Sequence, residues 1–415
     1  MRRVAEVMAI PAFRRLWTSA YLCCVGDWLS LLGLSSLLAT LTGSSEFALS
    51  GVVATQLLPG LLLAPLAGHL ADRFDRRKVM IATDLARCAL FLSIAVAGAV
   101  PSIAAASTAS AGWLLTANFL VGCCSMLWIP AKDSALPTLL HRPDQVQTAS
   151  QLTLVTTYGL ALLTGAGLYS VITAIAPHSD VHVIVVINGL LYLSSALVIA
   201  TRLPEASGRW TAPPTGEPGM ARDGLRYVRG SRLVRGLVIG IVGALTAGGT
   251  VIAIARPYAT ELHGGEAAFG TLVIALFIGL VIGVLGTPRL RLPFGVAIVA
   301  AGALLLAVAV APHLWFALAA VGTVGMCAGV AFVTGLTMIG AQVPDEVRGR
   351  VNAFVQALVK VVLFAATTMA PALVELVGVR TSLVVAAVVA ALAGAFAHRQ
   401  LAARHHVRVT EQVQA

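Results

Sequence analysis

Residues 68–78 read GHLADRFDRRK, between two long apolar runs. Four cations and two carboxylates in eleven residues are costly to bury in lipid, so the stretch must stay on one side of a membrane and join two spans. Working outward, the chain is 58% hydrophobic and 11% charged over 415 residues, against about 25% charged in soluble domains. Its mean hydropathy is +0.90. A spanning helix takes about 20 apolar residues, and the apolar runs divide into twelve. The fold class implied is an all-α membrane protein in two halves: residues 1–201 with six spans, a cytoplasmic linker 202–235, residues 236–398 with six more, and a tail 399–415. The linker holds Pro204, Pro213, Pro214, Pro218 and seven arginines.

The charges fix an orientation. The N-terminus, every second loop and the C-terminus carry 24 of the 28 Lys and Arg. That asymmetry is the positive-inside pattern. It places both termini in the cytoplasm, makes a multi-pass cell-membrane protein, and accounts for the net charge of +10 without nucleic acid. Of the remaining four, Arg256 and Arg380 fall in intervening loops, and Arg87 and Lys360 fall within spans. The first run follows Arg14 and Arg15 and is too long for a signal peptide. The six cysteines lie in apolar runs as small hydrophobes. Adjacent pairs on a helix diverge, so no metal site is expected. No HExxH, GxSxG or P-loop motif occurs, so neither an enzyme nor a cofactor is expected.

The halves are related. RPDQVQTAS (142–150) and VPDEVRGRVNAF (343–354) both carry Pro-Asp-x-Val into the next span. GVLGTPRLRLP (283–293) stands where GHLADRFDRRK stands in the first half, basic but without the acids. Two related halves with a site between them is a transporter plan.

On these residues the chain resembles the major facilitator superfamily. GHLADRFDRRK is similar to its loop 2–3 signature at Gly68, Asp72, Arg73, Arg76 and Arg77. FRRLW (13–17), GDW (26–28), PAKDSALPTLL (130–140) and VPDEVRGRVNAF resemble the macrolide-efflux and enterobactin-exporter branch of drug:proton antiporters. The sequence departs from that pattern in two ways. Asp75 replaces the signature glycine. LLTGAGLY (162–169) lacks the proline of the antiporter run in span 5, a loss that counts against antiport. The resemblance implies the major facilitator fold and a latch, with Asp72 meeting the N-terminal end of span 11 near Arg348 or Arg350. Without the resemblance, the same loop serves topology alone.

A charge at mid-bilayer costs at least about 2.5–3.5 kcal/mol, so each one within a span needs a reason. Asp27, mid-span 1, is either a proton-coupling or cation-binding carboxylate or a packing hydrogen-bond partner. Asp84 and Arg87 share one face of span 3, as a self-satisfied ion pair or a gate. Lys360, some ten residues into span 11, is read as too deep to snorkel. It either faces an anionic substrate group or Asp27, or it bonds backbone carbonyls or another acid. Gln56, Asn118, Trp128, Tyr158, Tyr169, Asn188 and Gln356 are candidate cavity-lining residues, or else polar ties between helices.

The function implied is secondary active transport by alternating access: proton-coupled efflux of a small amphipathic or hydrophobic compound, as in drug resistance. The partners expected are that substrate, protons and membrane lipid, with the protein a monomer. A carrier for a specific metabolite, such as a siderophore or lysophospholipid, importing or uncoupled from protons, is the first alternative. A non-transporting membrane receptor is the remote one.

Overall fold

The structure, a computed structural model, describes residues 2–43, 47–62, 75–99, 107–140, 145, 148–149, 152–153, 156–175, 180–202, 226, 230–290, 292–342 and 345–414. Gly68, Asp72 and Arg73 lie outside the described residues. So do the side chains of Tyr158, Arg348, Arg350 and Gln356. The chain divides into two compact units, Met1–Gly216 and Glu217–Ala415.

The first unit contains α1 (Arg2–Met8), α2 (Pro11–Thr42), α3 (Ala48–Leu62), α4 (Arg76–Ala99), α5 (Ser107–Leu139), a π turn (Thr156–Leu160) leading into α6 (Ala161–Ile175), and α7 (Asp180–Arg202). The second contains α8 (Arg232–Glu261), α9 (Gly265–Leu290), α10 (Phe294–Ala309), α11 (Leu314–Gln342), α12 (Asp345–Val377) and α13 (Val379–Gln414). Among the described residues nine helices are long and apolar enough to cross a membrane. Three shorter apolar ones lie at Ala48–Gly60, Ala161–Ile175 and Phe294–Ala309. The twelve together follow the order of the apolar runs in the sequence.

Local chemistry sets the helix ends. Pro11 at the start of α2 suits a position whose N–H has no intrahelical partner. Gly43, at φ 66°, closes the helix in the left-handed region. Asp75 caps α4: its Oδ1 accepts the Lys78 N–H at 3.1 Å. Among the described residues His263 alone has a positive φ without being glycine, so Asp75 occupies the signature's glycine position as an N-cap and not as a strained turn. Arg77 crosses to the other end of α7, donating Nε to the Ile199 carbonyl at 3.2 Å and Nη2 to that of Ala200. A cation on the last carbonyls of a helix is doubly favourable, through hydrogen bonding and the helix dipole.

In the first unit, α2 packs against α7, α6, α5 and α3. Leu16, Leu34, Phe91, Leu114, Trp128 and Tyr192 belong to its buried core. Span 2 is tied to span 4 by a side chain: Asn118 Nδ2 donates to the Val52 carbonyl at 2.8 Å and lies 2.7 Å from Thr55 Oγ1.

The second unit packs by close backbone approach. A Cβ added at Gly279 would fall 1.8 Å from the Gly322 carbonyl oxygen, and one at Gly325 would fall 1.9 Å from that of Leu276. With Gly283 and Gly329 a turn further on, α9 and α11 meet through facing Gly-x-x-x-Gly runs, the small-residue contact suited to lipid. At one end of this unit Arg380 Nε lies 3.3 Å from Glu261 Oε2, and its other nitrogens reach the Ala309 and Ala311 carbonyls. Tyr258 donates to the Val308 carbonyl at 2.6 Å.

Candidate functional site

Three consecutive residues midway along α2, Gly26-Asp27-Trp28, organise the candidate site, and each contacts the neighbouring helices differently. Gly26 is buried. A Cβ there would meet Asn188 Oδ1 at 2.6 Å and Tyr192 Cζ at 3.3 Å, so only glycine lets α7 approach this closely. Asp27 is half-buried, and its Oδ1 accepts the Tyr192 hydroxyl at 2.7 Å. Trp28 donates Nε1 to the Thr157 carbonyl at 3.0 Å. That carbonyl belongs to the π turn, where the regular i→i+4 ladder is interrupted. Trp17 Nε1 reaches Thr156 Oγ1 at 3.0 Å, and Tyr21 Oη lies 2.7 Å from Thr164 Oγ1. Span 5 therefore has its irregularity just before LLTGAGLY, made by the π turn and held by two tryptophans of α2. Gly165 of that run packs within 2.9 Å, at the Cβ position, of Trp28 Cβ.

Behind Asp27 lies a second charged group. Asp84 and Arg87 are fully buried, and the i,i+3 spacing brings Nη1 to 3.6 Å from Oδ1. The pair is not isolated. Ser195 Oγ donates to Asp84 Oδ2 at 2.6 Å, Cys23 Sγ lies 3.5 Å from Oδ1, and Ser19 Oγ lies 2.7 Å from Ser195 Oγ. The Arg87 guanidinium lies 5.3 Å from the Tyr192 ring and 5.6 Å from the Trp128 ring, in range for cation–π attraction. Tyr192 also stacks on Phe91 at 5.6 Å. Its phenol thus touches Asp27 on one side while its face touches Arg87. Lys132, 5.8 Å from Trp128, is 3.1 Å from the exposed Asp133. Counting Asp27, Asp84 and Arg87, the cluster holds two carboxylates against one guanidinium. One negative charge is left over in the cluster, whose one partly exposed carboxylate is Asp27.

The other candidates are scattered. Asn118 bonds span 2 as described. Trp128 and Tyr169 are buried and Gln56 is half-buried. Asn188 is fully buried on the helix face that carries Tyr192, four residues on, and Ser195, seven on. Lys360 is exposed on α12. Among the described residues no group of three or more His, Cys, Asp or Glu is arranged to hold a metal. Sequence reading missed Tyr192 and Ser195. The signal was present: Asn188, Tyr192 and Ser195 form a stripe at i, i+4 and i+7 in a largely apolar helix.

Solved structures place this architecture. The nucleoside transporter NupG superposes with a TM-score of 0.71 at 11% identity, over 94% of this chain and 99% of that one. A bacterial homologue of the human lysosomal transporter Spinster, inward-facing and unoccupied, gives 0.69 at 16% identity over 98% of both. The human organic anion transporter MFSD10 gives 0.65 at 14%, over 93% and 99%. At these identities the likeness concerns the fold, which is that of a major facilitator membrane transporter. A family profile described as transmembrane secretion effector matches residues 6–413, and the chain belongs to that family of the superfamily. The uncharacterized MFS-type transporter YfiS of Bacillus subtilis (strain 168) is 29% identical over 150 residues. That match spans 34% of this chain and about a third of the relative's length (33%).

Proposed function

We propose that this transporter exports a small amphipathic or hydrophobic compound in exchange for protons, with Asp27 as the coupling acid. The observation that carries the reading is the surplus charge. Asp27 is a half-buried carboxylate midway along an apolar helix, held by a neutral phenol, beside an ion pair that already uses the cation at hand. A carboxylate so placed is neutralised most cheaply by a proton. The Asp84–Arg87 pair, with Ser195 and Cys23 bonded to it, serves as the fixed countercharge. The charge asymmetry of the loops supports cytoplasmic termini, and the exporter resemblance supports loading from the cytoplasmic side or inner leaflet. The latch through Asp72 and span 11 remains part of this proposal on the strength of the motif.

The test begins with a ligand-induced thermal-shift screen of the purified protein over drugs, siderophores and lysolipids. The best ligand is then followed in proteoliposomes under an imposed pH gradient, with and without an uncoupler. Asp27→Asn is expected to lose uphill movement and keep downhill exchange. Uphill movement by Asp27→Asn would refute the assignment.

One observation favours a second reading, a carrier for an anionic metabolite. Lys360 is an exposed cation within the apolar stretch of α12, with no ion pair among the described residues, and one fold neighbour is an organic anion transporter. A thermal shift that anionic ligands produce and Lys360→Ala abolishes would support it.

A further inference from the structure

Asn188 has no exposed surface, and neither Nδ2 nor Oδ1 has a hydrogen-bond partner. Buried amides are rarely left unpaired at both ends. Arg87 Nε is also without a hydrogen-bond partner, and its guanidinium lies against the Tyr192 ring. The Asn188 amide rests on the bare backbone of Gly26, the residue before Asp27, one turn from the Tyr192 hydroxyl that binds Asp27. The Tyr192 bond to Asp27 falls on Oδ1. An apolar side chain in place of Asn188 would fill the same space without orphaned polar atoms.

We propose that Asn188 is a positioning residue for Asp27, serving its carboxyl in both protonation states. The inference rests on the reading of Asp27 as the proton-carrying acid. An amide suits this task because it carries a donor and an acceptor on one planar group. To the ionised carboxylate, Asn188 would donate through Nδ2, a contact that needs a shift from its present position against Gly26, where Nδ2 has no partner. To the protonated carboxyl, it accepts the O–H through Oδ1, after rotation of a terminal torsion that is broad and roughly two-fold. Tyr192 cannot do both while its phenol stays committed as a donor to Oδ1. With the amide in reach, the proton can arrive and leave without either state stranding a polar atom on the buried side of the half-buried Asp27. The proton forms an O–H bond to the carboxyl on arrival and breaks it on departure, and no other bond changes.

The titratable and charged groups on the elements packed around this pair include Tyr192 of α7, Asp84, Arg87 and Cys88 of α4, Tyr21, Cys23 and Cys24 of α2, Cys123, Cys124, Lys132 and Asp133 of α5, and Tyr169 of α6. α3 brings none.

The test is an infrared pH titration of the full-length protein in lipid nanodiscs, which needs no substrate. Asp27→Asn identifies the Asp27 carboxyl band by removing it. Asn188→Leu is expected to raise the C=O stretching frequency of that band, as loss of a hydrogen bond does. It should also displace its titration midpoint by about one pH unit, the scale of one charge-assisted hydrogen bond. Asn188→Ser, which keeps a group that both donates and accepts, should return the band most of the way. Asn188→Ala, smaller than the native residue, gives the same reading if leucine distorts the contact with Gly26. If the Asp27 band is present and both Asn188→Leu and Asn188→Ala leave its frequency and midpoint unchanged, Asn188 is packing alone. The inference then falls while the reading of Asp27 stands. If Asp27→Asn removes no titrating band, both fall.

Discussion

Replacing Arg87 by methionine should be among the most damaging single changes in the first unit, and a second change should repair it. Arg87→Met keeps an unbranched apolar stem, shorter than that of arginine, and removes its charge. At the observed 3.6 Å from Asp84, with an effective dielectric of about 20, the lost attraction is about 4–5 kcal/mol. That agrees with the roughly 3–5 kcal/mol typical of stranding one partner of a buried pair. Two cation–π contacts, to Tyr192 and Trp128, go with it. Asp84→Asn in the same chain removes the stranded charge while keeping a side-chain oxygen for Ser195. The double variant should therefore recover about 2–3 kcal/mol. Thermal unfolding in detergent gives the readout. At about 2–4 °C per kcal/mol for a unit of this size, Arg87→Met should unfold about 10 °C low, with roughly half of that returned by Asp84→Asn. A double variant that unfolds no higher than Arg87→Met would refute the claim that the pair is electrostatically coupled, and with it the count of one surplus charge.

Other outcomes follow from single contacts. Gly325→Ala should lower stability by about 1–3 kcal/mol, because its Cβ would sit 1.9 Å from a backbone oxygen; Gly167→Ala, with open space around it, should be neutral or slightly stabilising in the same unfolding assay. Asp75→Ala should cost about 1 kcal/mol as a lost cap, and Asp75→Gly only a few tenths. Equal losses would show that the Lys78 contact is incidental. Arg77→Ala should fray the end of α7, seen as faster amide exchange at Ile199 to Arg202, at a cost of about 1 kcal/mol.

Most of the fold was legible because lipid is a strict solvent. Runs of about twenty apolar residues have few alternatives to spanning, and cations sort to one side. The charged members of the site were legible for the same reason: Asp27, Asp84 and Arg87 stand out where charge is expensive. Tyr192 and Ser195 did not stand out, since a tyrosine or serine in a span is cheap and gains meaning only from what it faces. Asp75 stood in the sequence only as a replacement for the motif's glycine. Its N-cap role depends on where α4 begins, which hydropathy does not locate to a residue. The tryptophan grip on the π turn was invisible, because a π turn follows from packing and has no composition of its own.

The Gly26-Asp27-Trp28 step also limits how α2 can move. Neighbouring positions on a helix point about 100° apart. Asp27 holds α7 through Tyr192 while Trp28 holds the π turn through Thr157. Rolling α2 about its own axis would stretch one of these bonds for either sense of rotation, whereas tilting it with α7 and span 5 as a group stretches neither. Under the proposal for Asp27, its protonation would weaken the bond to Tyr192 and leave that of Trp28 unchanged. Because Ser19–Ser195, Trp17–Thr156 and Tyr21–Thr164 also hold α2 to the same neighbours, a proton on Asp27 would soften the roll of α2 at its midpoint without freeing it.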